Sequence, residues 1–230
     1  MSNIIALAGL SNTGKSTSLK YLDPTSTFII SCTNKQLQIP GFRKKYKKAA
    51  VENKKLVGNW LVSNNYAQIE QILKIISSTR EDINTIVIDD MNYCLSNEIM
   101  QTALTKGYDK FVVQAKNYYD LICFSSSLRD NLTVVFISHI MNNGKDDDPN
   151  WKLYSSGKML DNTVNLDGLF SYIIYSERYI NEEGEVKYRF KTRTDGNDTC
   201  RSVAGCFENK YIEPNIKEVI DRINIFENEN

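Results

Sequence analysis

The stretch "IIALAGLSNTGKSTSLKYL", residues 4 to 22, decides the fold, because an apolar run breaks into a loop with a glycine near each end and then resumes. Gly9 to Ser16 fit the pattern G-x-x-x-x-G-K-[ST], in which backbone N–H groups turn inward around a chain of phosphates. Gly14 lets the backbone come close to the phosphates, Lys15 sets a positive charge on the β and γ oxygens, and the Ser16 hydroxyl is placed to ligate Mg²⁺. Leu10, Ser11, Asn12 and Thr13 complete the loop, and Thr17 is a lesser ligand candidate. "NIIALA" before the loop reads as a buried strand, and Lys15 to Leu22 as a helix whose N-terminus faces the phosphates. The bland alternative is a glycine turn that only joins strand to helix. Strand, loop and helix in that order favour a nucleoside triphosphate with magnesium.

The chain has 230 residues, enough for one sizeable core, and residues 1–230 read as a single domain. Lysine plus arginine and aspartate plus glutamate stand at 28 each, so any polyanion partner must be met by a local basic face. The apolar runs are short and broken by charges, and the N-terminus has neither the basic start nor the apolar core of a signal peptide. No membrane contact and a cytoplasmic location are expected. Five cysteines without a C-x-x-C pair suit a reducing compartment, and with His139 as the single histidine no zinc or structural metal site is expected.

"TFIIS" at 27–31, "NTIVIDD" at 84–90 and "NLTVVFISH" at 131–139 are further short apolar runs of the kind covered on both faces of a parallel sheet. Helical periodicity lies between them, as in Ile69, Ile72, Leu73 and Ile76. "LFSYIIYSERYI" and "VKYRFKTRT" read as two strands joined by a polar turn containing Gly184, and Ile216, Val219, Ile220 and Ile223 share one face of a closing helix. The expected fold is α/β: a mainly parallel central sheet flanked by helices, with a C-terminal β hairpin and a last helix.

The strand over 84–90 ends in Asp89, at the place of an acid that reaches Mg²⁺ directly or through water. Asp90 follows where many P-loop ATPases keep a second carboxylate to orient or deprotonate the attacking water. Ser138 and His139 end the next strand, where a polar sensor of the γ-phosphate is expected. An ordinary solvated strand end and a hydrogen-bonded core histidine are the plain alternatives.

Beyond these motifs, "GLSNTGKST", "IVIDDMNY", "KGYDKF", "VVFISH", "GKMLDNTVNLDGLFSYIIY" and "FKTRTDGNDTC" resemble the RecA-like P-loop nucleotide-binding proteins of bacteriophages, the AAA-type phage ATPases related to small single-strand annealing recombinases. The likeness runs almost end to end. It implies a RecA-like fold and an ATPase in phage recombination or replication, oligomeric on single-stranded DNA, in the cytoplasm of an infected bacterium. It also implies that Lys191 and Arg193 form the K-x-R element by which such subunits reach a neighbour's γ-phosphate. One departure is plain. Where RecA-type recombinases carry a catalytic glutamate after the second strand, this chain reads "SCTNKQLQIP", with Lys35 and no acid. Hydrolysis then depends on Asp90 or is slow.

Two features suit nucleic acid. In "FRKKYKK", Arg43, Lys44, Lys45, Lys47 and Lys48 surround Tyr46, a composition for phosphate contacts with one stacking ring. The segment after His139 stands where RecA-like proteins keep a DNA-binding loop. There Trp151 and Tyr154 are candidates to stack on bases, and Lys152 and Lys158 to meet phosphates, against the repulsion of Asp146 to Asp148. Exposed helix or loop cations would look the same. The leading expectation is a Mg²⁺-dependent ATPase acting on single-stranded DNA as a homo-oligomer. The alternatives are a small-molecule P-loop kinase and a nucleotide-gated interaction module with little turnover.

Overall fold

The computed structural model describes residues 1–145, 147–155 and 165–229. Its centre is an eight-stranded sheet with β1 (Asn3–Ala8) near the middle. On one side of β1 stand β7 (Thr133–Ser138), β6 (Thr85–Asp89), β2 (Thr27–Ser31) and β5 (Trp60–Val62). On the other stand β10 (Tyr172–Ile180), β11 (Val186–Lys191) and β12 (Tyr211–Ile212). β10, β1, β7, β6, β2 and β5 run parallel, and β11 and β12 are antiparallel. The parallel sheet and the hairpin across Gly184 agree with the expectation from sequence.

Strand alternation explains why both faces are covered. Ala6, Ala8, Phe28, Ile30, Ile86, Ile88, Val134 and Phe136 point to one core, shared with α2 (Tyr66–Thr79), α3 (Asn92–Gln101) and α4 (Asp109–Ser126). Ile5, Leu7, Ile29, Val87, Val135 and Ile137 point to the other, shared with α1 (Phe42–Lys45) and α5 (Ile216–Glu229). α5 buries Ile216, Val219, Ile220 and Ile223, the stripe read from its periodicity. α2 starts at Asn65, whose side chain accepts from the Gln68 N–H at 3.0 Å.

Two short hairpins were not visible in the sequence: β3–β4 (Ala50–Glu52, Lys55–Val57) and β8–β9 (Ile140–Asn142, Trp151–Leu153). Residues 47–49 lie along β5, with Ala49 N–H on the Trp60 carbonyl at 2.7 Å, so they cover that edge of the sheet. Among the described residues no helix is long and apolar enough to cross a membrane.

Candidate functional site

The carboxyl ends of β1, β7, β6 and β2 come together, as the pairings Ala8↔Ser138 and Ser31↔Asp89 fix. In parallel α/β sheets this is where a crevice opens. Here it is a cleft of about 330 Å³ lined by the 11–17 loop, the 33–38 segment, Asp89, Asp90, Tyr93 and His139. It brings together, from distant parts of the chain, most of the residues that the sequence marks as phosphate and metal ligands.

The loop is held from behind. A Cβ on Gly9 would lie 2.4 Å from the Ser176 carbonyl oxygen, so β10 can pack this close only against glycine. The Ser176 hydroxyl donates to the Thr13 carbonyl at 2.7 Å, and Gly14 takes φ +95°. Lys15 is only 6 % exposed, and its ammonium donates to the carbonyls of Gly9 at 2.8 Å and Leu10 at 2.7 Å. Burial pulls its pKa from 10.5 to about 8, while Asp90 and Asp89 support the charge. The helix expected over Lys15 to Leu22 is a 3₁₀ helix over Ser16–Tyr21, with the Ser18 hydroxyl bound to the Lys15 carbonyl at 2.6 Å. A serine that bonds back to the backbone here competes with the regular α-helical ladder.

Ser16 Oγ donates to Asp89 Oδ1 at 3.0 Å, joining the loop to the end of β6. Asp89 is 3 % exposed, and its pKa is raised to about 7 by burial first and by the Asp90 charge second. Asp90 sits in a turn with φ +58°, a left-handed conformation that costs a non-glycine residue on the order of 1 kcal/mol or more. Its carboxylate lies 3.8 Å from His139 Nε2. Burial and Lys15 hold the His139 pKa below its ordinary value, so the imidazole is neutral at pH 7.

Asn92 is the residue that sequence reasoning missed. Its side-chain oxygen accepts from the His139 N–H at 2.7 Å and from Ser138 Oγ at 3.2 Å, so α3 fixes the end of β7 beside Lys15. The only signal was its position two residues after Asp90. Lys35, Gln36 and Gln38 also line the cleft, and Lys35 interacts electrostatically with Lys15 and Asp89.

Magnesium fits this donor set. A buried carboxylate beside a second one, facing a hydroxyl, is relieved by a hard divalent ion, and oxygen ligands with phosphate and water suit Mg²⁺. No group of three or more histidine, cysteine, aspartate or glutamate residues placed to hold a metal ion occurs among the described residues. Ser16 and Asp89 would be the protein donors for such an ion, with the remaining positions left to phosphate and water.

The other sequence candidates lie elsewhere. Arg43, Lys44 and Lys45 of α1, and Lys47 and Lys48 after it, are exposed. Tyr46 is not a stacking platform: it is 2 % exposed and lies parallel to Phe42 at 5.1 Å, inside the core beneath α1. The alternation that exposes the lysines buries the ring. Trp151 is half-buried in β9 and packs on the α2–α4 core, Lys152 beside it is also half-buried, and Tyr154 donates its N–H to the His139 carbonyl at 2.9 Å. Asp146 and Lys158 fall outside the described residues. Lys191 is 3 % exposed and enclosed by Asp195, Asp198 and Glu177, and Asp195 also meets Lys210. Arg193 is exposed and donates to the Glu208 carbonyl at 2.7 Å. Neither cation lines the cleft of its own chain.

No protein-family model matches this chain, and no curated protein sequence matches it significantly.

Proposed function

We propose that this protein is a RecA-like, Mg²⁺-dependent ATP-binding and ATP-hydrolysing protein of a bacteriophage, acting as an oligomer on single-stranded DNA in recombination or replication. The observation that carries the nucleotide reading is the Ser16–Asp89 contact beneath Lys15. Two groups 73 positions apart meet at 3.0 Å beside a buried ammonium whose hydrogen-bond partners are backbone carbonyls. Bound magnesium would neutralise phosphate charge there. Lys15 supplies the fixed cation, the inward loop amides orient the phosphates, and Asp90 takes the proton of the attacking water. Neutral His139, held by Asn92, stands where it can sense the γ-phosphate.

The RecA-like reading is favoured over a kinase by the strand order. β7 lies between β1 and β6, so Ser138 and His139 sit between the loop strand and the acid strand. Assembly is favoured by an apolar surface on α3, α4 and the turn joining them. Met100, Leu104, Tyr108, Val112 and Val113 are exposed there, Leu104 by 98 %, and Tyr93 continues this face into the cleft. Exposed apolar patches of this kind mark interaction surfaces. With Lys191 already enclosed by carboxylates, Arg193 is the cation left to act on a neighbour's phosphate. The cations of residues 43–48 are the DNA contact this reading expects.

The test is ATP hydrolysis with and without single-stranded DNA, with acceptor nucleosides as the control. Stimulation by DNA supports the reading, and phosphorylation of a nucleoside would replace it with the kinase. Mixing Arg193→Ala with Lys15→Ala protein should partly restore activity, because a mixed interface pairs an intact loop with an intact cation. The second reading, a nucleotide-gated module with slow turnover, draws on the absence of an acid in the 32–40 segment, which leaves Asp90 alone as base. Binding of ATP with no DNA-stimulated turnover would select it.

A further inference from the structure

Next to the phosphate cleft lies a second cavity of about 410 Å³, which the nucleotide reading has not used. The two share Asn12, Gly14, Thr17 and Gln38 as lining residues, so they meet across the 3₁₀ helix start. Thr17 Oγ1 donates to Gln38 Oε1 at 3.2 Å on that shared wall. The chemistry of the two cavities differs sharply. The first holds five ionisable groups, Lys15, Lys35, Asp89, Asp90 and His139, besides Leu37 and Tyr93, whereas the second adds Tyr21, Tyr188 and Pro214 with Lys20 as its one charged side chain, over the Tyr21 ring at 4.8 Å. Both tyrosines are 44 % exposed, and the Tyr188 ring lies over the loop, its Cδ1 3.5 Å from where a Gly14 Cβ would stand.

We infer that this second cavity receives the base and ribose of the bound nucleotide, with Tyr188 as the stacking face and Tyr21 as the opposite wall. The inference rests on the proposed phosphate role of the first cleft. A triphosphate held by the loop must pass its sugar and base out beside the loop. The one exposed ring of the first cleft, Tyr93, follows Asp90 at the end proposed for the metal, while the Tyr188 side, next to Thr17, offers two rings and a proline. Stacking uses the face of a ring and tolerates any base, so the pocket selects nucleosides over bare phosphates more strongly than one base over another. It also sets the nucleotide against β11. Occupancy of the loop is thereby linked to the β10–β11 hairpin, whose strand leads through Lys191 to Arg193.

The experiment compares MgATP with magnesium tripolyphosphate by calorimetry on the intact chain. In the wild type ATP is expected to bind at least tenfold more tightly than tripolyphosphate. Tyr188→Ala should lower ATP affinity about tenfold, within the range known for loss of one base stack, and change tripolyphosphate affinity by less than twofold. Tyr188→Phe should bind ATP as the wild type does, since the ring and not the hydroxyl is used. Equal affinity of the wild type for the two ligands would overturn the inference without any variant. So would a Tyr188→Ala protein that keeps full ATP affinity, or loses both ligands in the same proportion. The phosphate reading fails in a different way: the wild type would bind neither ligand, or Lys15→Ala would bind tripolyphosphate as well as the wild type. Either result removes the base pocket with it.

Discussion

Lys15 and Lys191 are both buried lysines, one in the loop that follows β1 and one on the central sheet, and they stand in opposite circumstances. Lys191, at the end of β11, is surrounded by Asp195, Asp198 and Glu177. Lys15, just beyond β1, gives its protons to two backbone carbonyls and faces an open cleft. Removing an ammonium from water costs several kcal/mol unless anions compensate it. At Lys191 the chain supplies the anions itself, so the charge fastens the 194–198 turn to the sheet. At Lys15 the compensation is partial, from Asp89 and Asp90 at a distance, and burial has already drawn its pKa to about 8. A buried cation with incomplete compensation beside a cleft is a candidate site for an external anion. The exposed cations of residues 43–48 lie outside this contrast, because a solvated lysine costs nothing to keep and so reveals little about its use.

The comparison can be broken at either lysine. The largest expected effect is on stability: Lys191→Ala leaves its carboxylates facing one another and should destabilise the fold by about 3–5 kcal/mol, read from urea unfolding. A loss under about 1 kcal/mol would mean that the cluster is not structural. Asp89→Ala should erase most of the advantage of magnesium, so that ATP affinity with and without the ion converges, whereas in the wild type the two should differ by about tenfold or more. A magnesium advantage that survives the substitution would move the metal site away from Ser16 and Asp89.

The pH dependence sharpens the contrast. Without magnesium, ATP affinity should fall by up to about tenfold per unit above pH 8, beyond the change near pH 7 where Asp89 gains its charge, because the free protein then loses the Lys15 proton that the phosphates require. The depressed pKa fixes the sign: on binding, Lys15 takes up a proton above pH 8 and none well below it. A flat profile from pH 7 to 9.5 would contradict the assignment. The smallest effect concerns the exposed cations. Alanine at Lys44, Lys45, Lys47 and Lys48 should weaken single-strand binding for every sequence and flatten its salt dependence. An unchanged slope would remove the patch from the interface.

Much of this was legible in the sequence, and the limits have physical reasons. The Gly9–Ser16 loop is legible because its turn depends on local backbone geometry, which the glycine spacing encodes. Asp89 is legible because a strand end after "IVI" has one place to be in a parallel sheet. Four of the six parallel strands, β1, β2, β6 and β7, follow from short apolar runs, and α5 from its periodicity. Tyr46 was misread because composition does not say which way a ring points at the end of a four-residue helix. Two of the carboxylates around Lys191 come from a turn that folds back on its own strand and the third from β10, which residue spacing does not encode. Asn92 is a polar anchor whose partners lie 46 and 47 positions away, and no local pattern marks it. The tyrosines of the second cavity come from the first helix and from β11, which meet only in the folded chain.

The most direct measurement is calorimetric titration of MgATP into three proteins at pH 7: wild type, Lys15→Ala and Lys191→Ala, each checked for folding by circular dichroism. The account predicts saturable binding by the wild type, at least a hundredfold loss in Lys15→Ala, and near wild-type affinity in whatever fraction of Lys191→Ala is folded. Undiminished affinity in folded Lys15→Ala would contradict it, and so would a wild-type chain that takes up no nucleotide at all.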